Sequence, residues 1–437
     1  MQAARPGCFA IVLALAAPLA PAQEAPAPEA PALTPAAAEA VFDRAEAICR
    51  RDNGQLWGTS LCGPIMLVDP ASRRILASSA DAEGQLQAEG AVFSGQLPPD
   101  QVAANTALDW AGVRWTQLLW PVPEGAKRDL LLAHELFHRI QPGLAIGAQP
   151  GEGGNAHLDT MPGRVLMQLE WRALAAALQA GDDASRRLAI ADALGFRAAR
   201  HARFDGSAAA ETALELNEGL AEYTGVVAGT DTADARIAAA LGDLRERADN
   251  QSFVRAFAYA TGPAYGLLLD ALLPGWRARL ADGPELARLL AEGAGIEPTG
   301  AGTLTVAESR YDGAALRAAE AARDQARQQR LRADRARFIE GAVVRLPLQH
   351  MKVRFDPRTL QPLDGVGTVY PSLRVSDDWG TLEASDGALL LADWSEVILV
   401  APEGGTPPIS GPGWTLDLAP GWKLVPADRP GDWTLRH

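Results

Sequence analysis

Several scarcities bound what this chain can be. Basic residues are outnumbered: 40 Lys and Arg against 54 Asp and Glu leave a net charge of −14. Such a chain lacks the clustered cations that a phosphate backbone requires, so a nucleic-acid partner is not expected. Beyond the first 22 residues no segment is long and apolar enough to cross a bilayer, so no membrane span is expected in the mature chain. Cysteine is rare, three in 437 residues, and histidine hardly commoner at six. No internal repeat is present. What remains is ample: 437 residues, 48% of them hydrophobic, suffice for two or three domains with real cores.

The first 22 residues read as a cleavable signal peptide. Arg5 supplies the positive charge, Cys8 to Leu19 is an apolar run too short to span, and Ala20-Pro21-Ala22 fits the cleavage site. The mature chain then starts at Gln23, in the periplasm or outside the cell. Cys8 stands at the start of the apolar run and not at the cut, which argues against lipid attachment. Its removal leaves Cys49 and Cys62, too far apart for a CxxC metal site. In an oxidising compartment this pair is expected to form a disulfide; two buried thiols are the alternative.

Residues 23–35 are rich in Ala, Pro and Glu and read as a disordered leader. A helix is expected over Ala36 to Arg51, with Val41, Phe42, Ala45 and Ile48 on one stripe. Residues up to 122 carry strand signals: Pro64 to Val68 and Arg74 to Ala77 flank an Asp69-Pro70-Ala71-Ser72 turn, and Ala91 to Phe93 and Val113 to Trp120 follow. An edge strand of such a sheet could hold an extended peptide by main-chain hydrogen bonds. From 123 to 313 the pattern is helical, with segments expected at 126–141, 162–180, 184–203, 207–226, 232–247, 251–272 and 284–292. The glycine-rich stretch from Pro142 to Asp159 is placed to line a cleft. Residues 314–340 read as a charged, solvated spacer helix, and 341–437 as all β. Five tryptophans in that last part, Trp379, Trp394, Trp414, Trp422 and Trp433, are expected to pack the sheets more than to form a binding platform.

Against so few histidines one motif stands out. His134-Glu135-Leu136-Phe137-His138 matches H-E-x-x-H, a pattern that shuffling would produce in roughly one chain in two hundred. On a helix, residues i and i+4 share a face, so His134 and His138 can present two nitrogens to one Zn2+. Glu135 then stands where a general base for a zinc-activated water is needed. A catalytic zinc takes a third protein ligand. Glycine at 141 and histidine at 144 would complete one common arrangement, but Gln141 and Leu144 occupy those places. His157 is a candidate, set against an ordinary loop histidine. The better candidate is Glu218, in Leu216-Asn217-Glu218-Gly219-Leu220-Ala221-Glu222-Tyr223. Glu218 and Glu222 share a helix face, and acids on a largely apolar helix need partners; one can bind metal while the other orients a ligating histidine.

HELFH followed by LNEGLAEY resembles the gluzincin metallopeptidases, above all the branch related to aminopeptidase N. The resemblance, which covers only about residues 130–270, implies a thermolysin-like zinc-peptidase unit; with the strand patterns read above, the expected fold is α+β, a small N-terminal sheet packed on this mainly helical domain and then a C-terminal all-β domain. The resemblance also implies His134, His138 and Glu218 as zinc ligands, Glu135 as base and proton shuttle, and a downstream tyrosine as oxyanion donor. Tyr259 is the first choice for that donor, with Tyr265 and Tyr223 as fallbacks. The sequence departs from the branch in three ways. The stretch between His138 and Glu218 is much longer, Gly225 stands where a second acid is usual, and no G-x-M-E-N motif marks an amine-binding site. The expected function is an exported zinc metallopeptidase acting on peptide or protein substrates. The alternative is a non-catalytic zinc-binding or protein-interaction module that keeps the fold.

Overall fold

A computed structural model describes residues 31–144, 146, 154–281, 285–355, 360–363, 365–402, 404 and 409–437. The expected signal peptide, most of the leader and the middle of the glycine-rich stretch lie outside the described residues. The protein mixes helices and sheets and divides into two compact units: Met1–Leu144 with Thr224–Asp231, and Ala145–Tyr223 with Thr232–His437.

The first unit opens with helix α1 (Pro35–Asp52). Thr34 caps it through the Ala37 amide at 3.3 Å, Pro35 takes the first turn where no amide is needed, and Asn53 ends it in the left-handed region. Its buried face is the expected stripe, with Ala38 and Cys49 added. The chain just ahead of it is not leader-like. Leu33 is buried, its carbonyl accepts from Arg74 Nη1 at 3.1 Å, and the Pro31 carbonyl accepts from the Trp120 indole.

Six strands follow: β1 (Ile65–Val68), β2 (Arg74–Ala77), β3 (Gln87–Glu89), β4 (Val92–Gln96), β5 (Thr106–Trp110) and β6 (Val113–Leu119). They form one sheet in the order β3-β4-β2-β1-β6-β5, antiparallel except for β1 beside β6. β1 is central and buried on both faces, which is why its sequence runs apolar without alternation. Helix α2 (Gly125–Ile140) follows β6 and packs on β5 and β6.

Cys49 and Cys62 are joined in a disulfide with Cα atoms 5.1 Å apart. The bridge ties α1 to the loop whose Leu61 and Cys62 carbonyls accept from Arg139 Nη2, at 3.1 and 2.7 Å, near the end of α2. Closing a loop with a sequence separation of 13 should be worth about 3 kcal/mol. Cys49→Ser, or reductant added to the parent protein, is therefore expected to lower the stability of this unit by about that amount. Urea unfolding followed by tryptophan fluorescence, with and without reductant, measures it; overlapping curves would show that the bridge contributes nothing.

The second unit contains α3 (Met161–Gln179), α4 (Asp183–Arg203), α5 (Ser207–Leu214), α7 (Ala233–Glu246), α8 (Ala256–Leu272), α9 (Leu286–Ala294), α10 (Leu304–Arg310) and α11 (Gly313–Arg335). A π-turn, Glu215–Gly219, follows α5 and runs on into α6 (Leu220–Gly229), within which the chain passes from this unit to the first. Apart from α10, which the sequence reading did not expect, these helices lie within about five residues of the segments read from the sequence. α3 and α4, linked by a short turn, pack along their length.

α11 is more than a solvated rod. Leu316, Glu320 and Asp334 are buried, and Glu320 accepts from Arg164 Nε of α3 at 2.9 Å and from Gln168 at 2.6 Å. After a second π-turn, Ala336–Glu340, two sheets are built from β7 (Val343–Pro347) through β18 (Trp433–Arg436). One sheet has seven strands, with β7 between β18 and the strand Glu396–Val400; the other has five. Trp379 and Trp414 are in the core between the sheets with Val344, Leu346, Leu382 and Leu399, and Trp422 and Trp433 pack against its margin. Only Trp394 among these five is an exposed large hydrophobe. The opposite face of the seven-stranded sheet is apolar too: Val343, Val369, Leu389 and Ile398 pack with Phe338, Ile339 and Leu331 from the end of α11 and its π-turn. Burial on both faces explains the unbroken Leu389-Leu390-Leu391 and Val397-Ile398-Leu399-Val400 runs.

Candidate metal centre

α2 is built to be rigid. Leu132, Ala133, Leu136 and Phe137 are fully buried, and the ring of Phe137 lies 4.9 Å from that of Trp57. His134 and Glu135 are almost as deeply buried, at 5% and 4% exposure. Imidazole and carboxylate groups held this far from water need partners to offset the lost hydration. The Nε2 atoms of His134 and His138 face each other at 3.1 Å. Nδ1 of His138 sits 2.9 Å from Gln141 Oε1. The amide oxygen accepts, so a proton on Nδ1 of His138 would satisfy this contact.

The segment Thr224–Asp231 lies against α2 within the same unit, and glycine makes that possible. A Cβ on Gly225 would stand 2.9 Å from the Leu130 carbonyl oxygen and 3.5 Å from His134 Cβ; one on Gly229 would stand 2.8 Å from the Asp129 carbonyl oxygen. Side bonds lock the approach. Trp57 Nε1 donates to Thr224 Oγ1 at 3.0 Å, Arg51 reaches the Ala228 carbonyl and Asp231, and Arg44 clasps Asp129 with two bonds of 3.0 and 2.6 Å. Gly225 is thus occupied by a contact that admits no side chain.

In the second unit, Glu218 sits in the π-turn. Such turns widen a helix by one residue and often occur where a side chain must be re-aimed. The helix leading into it is clamped by charge. Arg197 of α4 bonds both oxygens of Glu215 and reaches Glu170 Oε1 at 3.0 Å. Arg200 holds Glu211 through bonds of 2.8 and 2.6 Å and pairs with Glu170 Oε2 at 2.7 Å. Burial by itself would raise the Glu211 carboxyl, but the Arg200 charge and the bonds from Arg200, His157 and His201 hold it well below the usual range. Glu215 is moved the other way: burial pushes it up against the pull of Arg197. Removing one member of such a fully buried set typically costs about 3–5 kcal/mol, because its partner is left as an uncompensated charge.

α8 crosses the π-turn at two glycines. A Cβ on Gly262 would lie 2.1 Å from the Gly219 carbonyl oxygen, and one on Gly219 would lie 3.2 Å from Gly262 Cα. That contact brings Tyr259 to the ligand candidate. Its hydroxyl donates to Glu218 Oε2, while Arg255 Nη2 donates to Glu218 Oε1 at 3.0 Å. Burial first, and then the Glu218 carboxylate, push the Tyr259 phenol far above its ordinary pKa, so it stays neutral and able to donate. The guanidinium of Arg247 lies over the Tyr259 ring, 5.2 Å from its centroid.

His134, His138 and Glu218 each offer a ligand atom, and those atoms all lie within 4.8 Å of one another, so the group could hold a metal ion. Two nitrogens about 2.05 Å from one tetrahedral ion would be about 3.3 Å apart. The observed 3.1 Å between the two Nε2 atoms fits that requirement. Two imidazoles with a carboxylate are also a donor set suited to zinc.

Other candidates are committed elsewhere. His157 does not join the ligand group; its Nε2 is 2.7 Å from Glu211 Oε1 and its ring packs on Phe204. Tyr265 donates to Glu170 at 2.8 Å and Tyr223 to Asp270 at 2.7 Å, so of the three tyrosines it is Tyr259 that bonds Glu218. Glu222 is half-buried, four residues on from Glu218. A second set among the described residues, His350, Asp377 and Asp378, lies at the surface. There Asp378 bonds His350 Nδ1 at 2.7 Å and Asp377 caps the Gln349 amide at 2.9 Å, which is the chemistry of a closed turn. A cavity of about 500 Å3 in the second unit is lined by Arg164, Gln168, Glu320 and Arg323, where Arg164 and Gln168 donate to Glu320, and Arg164 and Arg323 donate to backbone carbonyls.

Sequence reasoning passed over Gln141, Arg247, Arg255 and the Arg197–Arg200 clamp. The clamp had a signal: two arginines three apart in the apolar Leu194–Arg200 stretch, and Glu211 and Glu215 four apart on the Glu218 helix. Compared with models of protein families, with curated proteins and with solved structures, the chain matches none of them.

Proposed function

We propose that the protein is a zinc-dependent metallopeptidase in which His134, His138 and Glu218 hold the ion. The observation that carries this reading is the convergence of their three ligand atoms within 4.8 Å, with Glu135 on the same helix. Zinc, when bound, supplies the acidity that makes water a nucleophile near neutral pH and the positive charge that polarises a carbonyl. The protein's own residues do the rest. Glu135, adjacent to one ligand and buried, accepts the proton of the attacking water and delivers it to the departing amine. Tyr259, kept neutral, donates its hydroxyl proton in a hydrogen bond to the carbonyl oxygen as that atom gains negative charge. Gln141 fixes the His138 ring and its tautomer. β5, last in the order of the sheet on which α2 packs, offers its outer edge to the main chain of an extended peptide.

The direct test is turnover of casein or a peptide library. Hydrolysis is expected in the purified protein, is expected to vanish on dialysis against a chelator, and should return on addition of one equivalent of zinc. A protein that binds zinc stoichiometrically yet cleaves none of these substrates would instead be a binding module.

A further inference from the structure

We infer that the site selects substrates bearing a carboxylate close to the scissile bond, and that Arg255, supported by Arg247, recognises it. The inference rests on the peptidase reading above. Arg255 is the residue next to α8, and its side chain is 70% exposed although its guanidinium lies 3.0 Å from Glu218 Oε1. An exposed arginine normally gains little from one surface partner. Here the partner is the carboxylate assigned to the metal, whose charge an ion would largely satisfy. With the ion in place, the Arg255 fork keeps its position beside the reacting groups and regains donors for another anion.

Arg247 strengthens the argument independently. Its guanidinium stacks on the ring of Tyr259, the proposed oxyanion donor. Its buried Nε has no hydrogen-bond partner among the described residues, and Asp243 stands 3.8 Å from its Nη2. The Arg247 side chain is nevertheless 33% exposed, so its outer guanidinium nitrogens can meet an incoming carboxylate oxygen. Two arginines thus flank Tyr259 in a protein whose overall charge is −14. Long-range attraction would draw cations to such a chain. Preference for an anion must therefore be local, and planar guanidinium forks suit carboxylates.

The carboxylate has two sources, the free C-terminus of a short peptide or an Asp or Glu side chain beside the cleaved bond. The test uses zinc-loaded full-length protein carrying Glu135→Gln, so that ligands bind without turnover. Three peptides of one sequence are titrated by calorimetry: one with a free C-terminal carboxylate, one amidated, and one amidated with an acidic residue next to the scissile position. At least one carboxylate-bearing peptide is expected to bind about tenfold or more tightly than the neutral one. Which of the two does so identifies the source. Adding Arg255→Gln should shrink the difference to within about twofold, and Arg255→Lys should retain part of it. Equal affinity for all three peptides overturns the inference, as does a preference that survives both Arg255→Gln and Arg247→Gln. No binding by any peptide despite full zinc occupancy would sink the peptidase reading itself, and the inference with it.

Discussion

Replacing Glu135 with Gln is expected to cut peptide hydrolysis by at least about a hundredfold, and up to about ten-thousandfold, while zinc stays at one equivalent per chain. Gln keeps the shape and polarity of the buried side chain, so the packing of α2 around Leu132, Leu136 and Phe137 should be undisturbed. What disappears is the ability to take a proton. Turnover with and without the substitution, beside metal analysis of the same samples, separates the two effects. Retention of more than about a tenth of the parent rate would remove Glu135 from the role of general base. A loss of zinc together with activity would place it among the groups that hold the metal instead.

Glu218→Ala should behave in the opposite way. The variant is expected to lose zinc, with an affinity drop greater than the roughly hundredfold seen when only an outer partner of a ligand is removed. Its fold should survive. The helix leading to residue 218 is fixed by Arg197 and Arg200 through Glu211 and Glu215, none of which the change touches. Arg255, left without its acceptor, is mostly exposed and can turn to water. Competition against a zinc-sensitive dye gives the affinity, and circular dichroism checks the helices. Stoichiometric zinc in the folded variant would falsify the assignment of Glu218 as third ligand.

The sequence showed the helices because their apolar stripes repeat at helical spacing and glycine or proline marks their ends. α3 begins at a Thr160 cap followed by Pro162, and α4 at an Asp182 cap, and both were legible within a residue or two. The Cys49–Cys62 bridge was legible because only two cysteines remain once Cys8 is set aside. Other features carried no such mark. β3 and β5 are short strands at the two ends of the first sheet, with no apolar run to announce them. The parallel pairing of β1 with β6 joins segments far apart in sequence, and burial on both faces erases alternation. The π-turn is a matter of hydrogen-bond register that Glu215–Gly219 does not spell out.

The site was legible in a similar, partial way. HELFH and NEGLAEY single out His134, His138 and Glu218, whose ligand atoms lie within 4.8 Å of one another, because few residue types can offer a metal a donor atom. The supporting residues are ordinary ones. Gln141 looked like a failed glycine when tested against one ligand pattern, yet it orients His138. Gly225 looked like a missing acid, yet any side chain there would strike the Leu130 carbonyl. Gly262 gave no signal at all, although its contact with Gly219 brings Tyr259 to Glu218. Positions defined by what they leave room for are invisible until the neighbouring backbone is known.

The sheet capped by the end of α11 has a consequence for how this chain could have been assembled. Gly341 looks like a natural joint, where helix gives way to strand. A gene fragment starting there would nevertheless encode a sandwich with Val343, Val369, Leu389 and Ile398 bared to water along one side. Such an apolar patch invites aggregation. A piece cut so as to keep that side covered has to carry Leu331, Phe338 and Ile339 with the sandwich.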